Sequence, residues 1–156
     1  MIGIPREQYL AESTIPTVRE LSLRDGMFRI ADGSRFVLRG ALDSSAAEIA
    51  AERIRRYWNC EGAVALHAEP ASLEAEEYFA DITPERIEVR ADTPAALRHA
   101  FSTLRQLSES ERGVLKSLSF QISSLKVHDF PALPFRGIHL CWFPESSETD
   151  LEKWLR

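Results

Sequence analysis

The residues from Val127 to Trp142 read VHDFPALPFRGIHLCW, and Pro131 and Pro134 divide this stretch into two apolar runs. Proline has no N–H group to donate to a β-ladder, so neither run can continue through the prolines as a central strand. The residue before a proline is restricted to extended backbone, which predicts a stiff, extended linker over residues 130–134. We therefore expect one domain at residues 1–130, followed at residues 131–156 by a linker and the opening strand and helix of a second domain.

The composition is that of an ordinary globular protein. The 156 residues are 44% hydrophobic and 28% charged, which is enough to bury a sizeable core. With 19 basic and 24 acidic residues the net charge is −5, which argues against nucleic acid or an anionic membrane as a partner. The basic cluster Arg53, Arg55 and Arg56 shares a predicted helix with Glu48 and Glu52, and is interpreted as a solvated face.

The cysteines, the N-terminus and the lengths of the apolar stretches indicate the redox state and the location of the chain. Cys60 and Cys141 fall in different predicted units, so each is expected to be a free thiol rather than part of a disulfide framework. The N-terminus lacks the charged and apolar regions of a signal peptide. No apolar stretch approaches the ~20 residues that span a bilayer. We expect a soluble, cytoplasmic chain.

The first part of the chain predicts an irregular lead-in and then a meandering sheet. Residues 1–16 show no clear pattern. A strand at residues 17–23, a turn at Asp25-Gly26 and a partner strand at residues 27–30 predict a hairpin. A second turn at Asp32-Gly33 leads into a strand at residues 36–38.

Two helices are predicted, each with one apolar stripe. Ser45 and Glu48 have the spacing of a capping box, and the helix that they open should end within residues 59–62. Thr93 followed by Pro94 predicts a second helix, with threonine as the N-cap and proline at the first helical position. This second helix carries the strongest apolar stripe in the sequence and should end within residues 108–113.

Short strands are predicted at residues 63–66, 78–82, 86–91 and 120–127. Together with the helices they predict an α+β fold, a two-layer sandwich of a mostly antiparallel sheet with two helices on one face. The other face of the sheet would be left for a partner.

The motif DFPALPFRGIHL at residues 129–140 resembles the segment that joins the small N-terminal domain of glycoside hydrolase family 20 enzymes, the β-N-acetylhexosaminidases, to their catalytic barrel. EEY at residues 76–78 and FSTLRQL at residues 101–107 are similar to the same family's pattern. The resemblance implies a non-catalytic N-terminal α+β domain, followed at residues 131–156 by a partial first β/α unit of a missing (β/α)8 TIM barrel.

Arg136 is the one candidate site residue that the resemblance provides. In the family, the arginine of this Arg-Gly motif binds hydroxyls of the terminal sugar, a task suited to a rigid fork of donors. The alternative is an arginine that pairs with a carboxylate at the end of a barrel strand. The chain also departs from the family, because Cys141 stands where an Asp is usual and Pro144-Glu145 where an Arg-His pair is usual.

The resemblance further implies that the catalytic residues lie elsewhere. The family uses a neighbouring Asp-Glu pair for a substrate-assisted, retaining hydrolysis of terminal N-acetylhexosamine, and this chain contains no Asp-Glu dipeptide. We expect it to be inactive alone and to need no cofactor. The carboxylates Glu74, Glu76 and Glu77 are interpreted as solvated surface.

His128, His139 and Cys141 raise the question of a metal site. They are scattered across the proline linker without the compact spacing of a ligand set. A packed cysteine and strand histidines explain them better, so no metal is expected.

Three hypotheses for the function stay open from the sequence. The first is an accessory domain of a β-N-acetylhexosaminidase, with its own barrel as partner and an N-acetylhexosamine-containing glycan as the substrate of the whole enzyme. The second is the accessory domain of another glycosidase, a family 84 N-acetylglucosaminidase or an α-glucuronidase. The third is a stand-alone, non-catalytic interaction module. Without a barrel, Trp142, Phe143 and Trp154 would be an exposed apolar tail, so a packed tail would favour the module and a disordered or intermolecularly paired tail would favour a truncated enzyme.

Overall fold

The computed structural model describes residues 5–115 and 119–133, which form three helices and six strands. In chain order these are α1 (Arg6–Glu12), β1 (Glu20–Arg29), β2 (Arg35–Gly40), α2 (Ser45–Trp58), β3 (Ala63–Ala68), β4 (Tyr78–Ile82), β5 (Ile87–Ala91), α3 (Pro94–Leu115) and β6 (Gln121–Asp129). The predicted linker lies within this description only as far as Leu133.

The six strands form one sheet in the order β1-β6-β4-β5-β2-β3. β2 runs parallel to β3 and to β5, and the other three neighbouring pairs are antiparallel. The two parallel neighbours β2 and β3 are joined through α2, because a parallel connection needs a crossover that a tight turn cannot supply. The predicted α+β sandwich with a mostly antiparallel sheet is confirmed.

The predicted hairpin at Asp25-Gly26 is wrong. Residues 20–29 form the single strand β1, which pairs with β6 on both sides of a bulge between Leu23 and Met27. Gly26 lies in this bulge with a φ of +107°. An Asp-Gly pair suits a tight turn and a bulge alike, since both need backbone at positive φ. The meander is wrong for the same region, because β6 and not β2 is the neighbour of β1.

The N-terminal lead-in is also more ordered than expected. Residues 6–12 form α1, in which Leu10 is buried. The Arg6 guanidinium contacts the buried Glu111 carboxylate of α3 at 2.9 Å and the Ser123 hydroxyl of β6 at 2.8 Å. A helix of seven residues is too short to be stable alone, so these long-range contacts hold it in place.

The two helix starts differ from each other. The expected capping box at Ser45 does not form: Asp43 Oδ1 accepts hydrogen bonds from the Ser45 hydroxyl at 2.5 Å and the Ser45 N–H at 2.9 Å. These bonds hold the pKa of Asp43 below its usual value. The Thr93 cap of α3 is confirmed, since its Oγ1 accepts the Ala96 N–H at 3.1 Å. α3 continues to Leu115, beyond the predicted end.

An aromatic cluster joins the sheet to both long helices. The centroid of the Phe36 ring in β2 lies 6.0 Å from the ring centroid of Trp58 in α2 and 6.0 Å from that of Phe101 in α3. It lies 6.2 Å from the ring centroid of Phe28 in β1. All four side chains are buried, and the Trp58 indole donates to the Ser108 hydroxyl at 2.9 Å. The cluster thus gives the two helices and the sheet a common core.

The side chain of Asp92, directly after β5, connects two loops through hydrogen bonds. Its carboxylate accepts N–H groups from Ala41 at 2.8 Å, Leu73 at 2.6 Å and Ser72 at 2.5 Å. Burial raises the pKa of Asp92, but the three hydrogen bonds outweigh burial and the pKa lies below its usual value.

We predict that Asp92→Asn lowers the free energy of unfolding at pH 7 by about 2 kcal/mol, because an amide has one acceptor oxygen and no charge. The folded-state pKa of Asp92 lies below the unfolded value of about 3.9. The contribution of the ionised Asp92 carboxylate to the free energy of unfolding is therefore fully present above about pH 5. It is lost as the pH falls through the folded-state pKa. Urea titrations of both proteins from neutral to acidic pH measure this, and the difference between them should shrink on acidification. The exposed Asp25 gives the matched control, Asp25→Asn, which should behave as the parent chain does.

Candidate functional site

A cavity in the described part of the chain lies where the backbone leaves the sheet. It has a volume of about 560 Å³ and lies between residues 15–19, the outer side of α3 and residues 129–133. We call it the exit groove. The proline segment that the sequence singled out therefore forms one of its walls.

Three polar side chains connect the sheet, α3 and the exit segment within the groove. The Tyr78 hydroxyl lies 2.6 Å from Thr103 Oγ1 and donates to Asp129 Oδ2 at 3.1 Å, and Asp129 Oδ1 accepts the Arg19 N–H at 3.2 Å. Burial raises the pKa of Tyr78 far above its usual value. Tyr78 therefore stays protonated at neutral pH, and its bonds to Thr103 and Asp129 position the exit segment against α3.

The rim of the groove is apolar. Ile15 is 84% exposed, Leu133 62% and Phe130 40%. The Arg19 guanidinium lies 5.3 Å above the Phe130 ring, a cation–π contact that orients this ring. Gln106 of α3 accepts the Ile15 N–H at 2.6 Å and so holds the opposite wall against the helix.

His128, one of the three residues considered for a metal, has other partners. Its ring stacks on the Phe79 ring, with the two centroids 4.0 Å apart. Its Nε2 lies 2.8 Å from Glu77 Oε1, and its Nδ1 lies 3.3 Å from Glu20 Oε2. His139 and Cys141 lie outside the described residues. Within residues 5–115 and 119–133, no group of three His, Cys, Asp or Glu side chains is arranged to hold a metal ion.

The acidic cluster is less uniform than the predicted solvated surface. Glu77 is only partly exposed, and its Oε2 accepts the Glu74 N–H at 3.0 Å. This backbone bond, followed by the bond to His128, holds the pKa of Glu77 below its usual value. Glu76 lies 3.2 Å from His99. Glu77 therefore stays ionised at neutral pH and stabilises the strand end through these bonds. A general acid would instead carry a proton at this pH.

The face of the sheet turned away from α2 and α3 is covered by paired charges. Arg39 contacts Glu69 at 2.9 Å and Glu88 at 3.0 Å, while Asp81 contacts Arg24 at 2.8 Å. Exposed pairs of this kind add little stability, but they satisfy the charges of this face internally.

Arg136, the predicted sugar-binding residue, lies outside the described residues, as do Cys141 and Pro144-Glu145. The groove itself was missed by the sequence analysis. Tyr78, Thr103 and Asp129 lie 25 and 26 positions apart along the chain, and only strand pairing brings them together. The one local signal is polar Thr103 beside the apolar stripe of α3, a position that is buried. None of the helices in the described part has the length and apolar character needed to cross a bilayer.

Comparison with known proteins gives one family. The sequence model of the family described as glycosyl hydrolase family 20, domain 2, matches residues 11–130. A comparison with curated proteins found no match.

Solved structures share the fold. A chitobiase of Flavobacterium johnsoniae matches with a TM-score of 0.63 and 18% identity, over 88% of this chain and 23% of its own. The N-acetyl-beta-hexosaminidase of Streptomyces plicatus matches with a TM-score of 0.61 and 19% identity, over 81% of this chain and 28% of its own. The beta-N-acetylhexosaminidase of Bacteroides fragilis matches with a TM-score of 0.55 and 24% identity, over 76% of this chain and 24% of its own. The chain therefore spans about a quarter of the length of these structures, and at such identities the likeness shows the fold alone.

Proposed function

The chain belongs to glycoside hydrolase family 20, as its domain 2, and from this premise we propose that it serves as the accessory domain of a β-N-acetylhexosaminidase-like enzyme. The single observation that carries the proposal is the family match over residues 11–130. It favours family 20 over the alternatives of a family 84 N-acetylglucosaminidase or an α-glucuronidase.

The chemistry of the described residues supports an accessory rather than a catalytic role. A glycosidase needs a general acid whose pKa is raised, so that it carries a proton at neutral pH. The three carboxylates of the described part that have shifted pKa values are Asp43, Glu77 and Asp92, and all three pKa values are lowered by hydrogen bonds. The acid of such an enzyme would lie in its catalytic domain.

For the whole enzyme we propose hydrolysis of terminal N-acetylhexosamine residues from glycans. The mechanism is the substrate-assisted one of the family: a glutamic acid protonates the leaving oxygen, and an aspartate orients the acetamido group that attacks the anomeric carbon. Arg136 is the residue of this chain that we propose to contact substrate, through hydrogen bonds from its guanidinium group to sugar hydroxyls. No metal or nucleotide is needed for these steps.

The test is to express the full polypeptide encoded by the gene, beside the 156-residue chain, and to assay both with p-nitrophenyl N-acetyl-β-D-glucosaminide. We expect p-nitrophenol release from the full polypeptide and none from the 156-residue chain. p-Nitrophenyl β-D-glucoside is the matched control substrate, and it should stay intact because it lacks the acetamido nucleophile.

Two results would overturn this proposal. One is a full polypeptide that folds but releases no p-nitrophenol from N-acetylhexosaminides. The other is a reading frame that stops directly after Arg156, which would favour the stand-alone interaction module.

A further inference from the structure

The two edges of the six-stranded sheet differ in how they are protected. β1, at one edge, is interrupted by the bulge between Leu23 and Met27 and carries charged side chains along its length. The Glu7 side chain of α1 also accepts the Leu23 N–H at 3.3 Å. Bulges, charged side chains and covering elements are the devices that keep an edge strand from pairing with another chain. The β1 edge is therefore closed to a further strand.

β3, at the other edge, has none of these devices. Its sequence, AVALHA, contains no Asp, Glu, Lys, Arg, Pro or Gly. β3 pairs in continuous register with β2 on one side, and no strand of the described part of the chain pairs with its other side. Four of its six side chains are exposed, and those of Val64 and Leu66 are only partly buried. An exposed edge strand of this kind is a template for pairing with another strand.

The hydrogen bonds of β3 show which of its backbone groups are open. The N–H groups of Ala63 and Glu69 both donate to carbonyl groups on the β2 side, each at 2.8 Å. Because backbone N–H and C=O groups alternate between the two sides of a strand, Val64, Leu66 and Ala68 direct theirs away from the sheet. Within residues 5–115 and 119–133, no hydrogen bond reaches these outward groups. β3 therefore offers three consecutive bonding positions to a partner strand.

We propose that this open edge pairs antiparallel with β3 of a second copy of the chain, about a two-fold axis at Leu66. A two-fold interface is self-complementary, so one open edge serves both copies. Val64 then faces the partner's Ala68, Leu66 faces the partner's Leu66, and each such pair exchanges two hydrogen bonds. The chain carries a net charge of −5, and the uncharged β3 is a stretch where two copies can meet without repulsion.

Charge complementarity selects this register over its neighbours. With Leu66 on the axis, Glu69 lies opposite the partner's Ala63, and no carboxylate faces another. A shift by two residues in one direction would place Glu61 opposite the partner's Glu69, and like charges directly opposite each other are destabilising. A shift in the other direction would set Val64 opposite the partner's Pro70, which has no N–H to donate.

The mass of the 156-residue chain in solution tests the pairing. By light scattering it should rise with protein concentration from 17.7 kDa to twice this value. Ala68→Pro should raise the Kd of the dimer at least about tenfold, because each copy loses a donor and the proline ring obstructs the partner's strand. Ala68 is exposed and its N–H faces away from β2, so the monomer should stay folded. Ala68→Ser keeps the N–H; it is the matched control and should dimerise as the parent chain does.

Amide exchange measured by NMR tests the geometry in the parent chain and needs no variant. The N–H groups of Val64, Leu66 and Ala68 should exchange rapidly in dilute solution and at least about tenfold more slowly once the dimer forms. Those of Ala65 and His67 already bond to β2 in the monomer, so their exchange should be slow at every concentration. This alternation distinguishes pairing through the β3 edge from contact through any other surface.

Three results would overturn the proposal. The first is a chain that stays at 17.7 kDa up to millimolar concentration. The second is a dimer that Ala68→Pro leaves as stable as the parent, which would place the contact on another surface. The third is slow exchange of Val64 and Leu66 that is independent of concentration, which would assign the edge to a segment of the same polypeptide. None of these readouts depends on glycosidase activity, so this proposal and the proposed function fail separately.

Discussion

Phe36→Ala is expected to lower the free energy of unfolding by about 3–5 kcal/mol, the usual cost of truncating a buried phenylalanine. Phe36 has no exposed surface and lies between Phe28, Trp58 and Phe101. Its loss leaves a cavity where the sheet meets both long helices, and rigid elements on three sides cannot close it. A stability of 5–15 kcal/mol is typical of a domain, so this one change removes a large share of it.

Urea unfolding followed by circular dichroism measures the effect of Phe36→Ala. The midpoint should fall while the dependence on urea stays the same, because a cavity does not change the surface exposed on unfolding. Phe130→Ala is the matched control: Phe130 is 40% exposed and its truncation should cost about 1 kcal/mol or less. Equal losses in the two variants would show that Phe36 is not the centre of the core.

Arg136→Ala in the full polypeptide is expected to lower kcat/KM for an N-acetylhexosaminide by about 100- to 10,000-fold. This prediction follows from the proposed role of Arg136 in binding sugar hydroxyls. A hydrogen bond to a charged group contributes about 1.5–3 kcal/mol, two such bonds would be lost, and each 1.36 kcal/mol corresponds to a factor of ten in rate. Steady-state kinetics with the chromogenic substrate measure the change.

Two further variants make the Arg136 experiment specific. Arg136→Lys keeps the charge but not the planar fork of donors, so its kcat/KM should lie between those of the parent and Arg136→Ala. Arg55→Ala removes an exposed arginine of α2 and should leave kcat/KM unchanged. If Arg136→Ala keeps kcat/KM within twofold of the parent value, the substrate-binding role is wrong.

Local sequence patterns were reliable where one element decides its own structure. The alternation of apolar and charged residues in IEVRA predicted strand β5, and Thr93 followed by Pro94 predicted the start of α3. The same reasoning failed at Asp25-Gly26, since a two-residue signal fits a turn and a bulge equally well. It also failed at α1, which depends on the contact between Arg6 and Glu111.

The sequence by itself determined the α+β class, most of the strands and both long helices, because these follow from periodicity and capping within a few residues. It also carried the family resemblance, which the family match over residues 11–130 confirmed. Tertiary structure alone decided the strand order, the parallel pairs of β2 and the exit groove. Each of these brings together residues far apart in the chain, such as Tyr78 with Asp129 and Leu21 with Val127. Such pairings are selected by how whole faces pack against one another, and no local pattern encodes that choice.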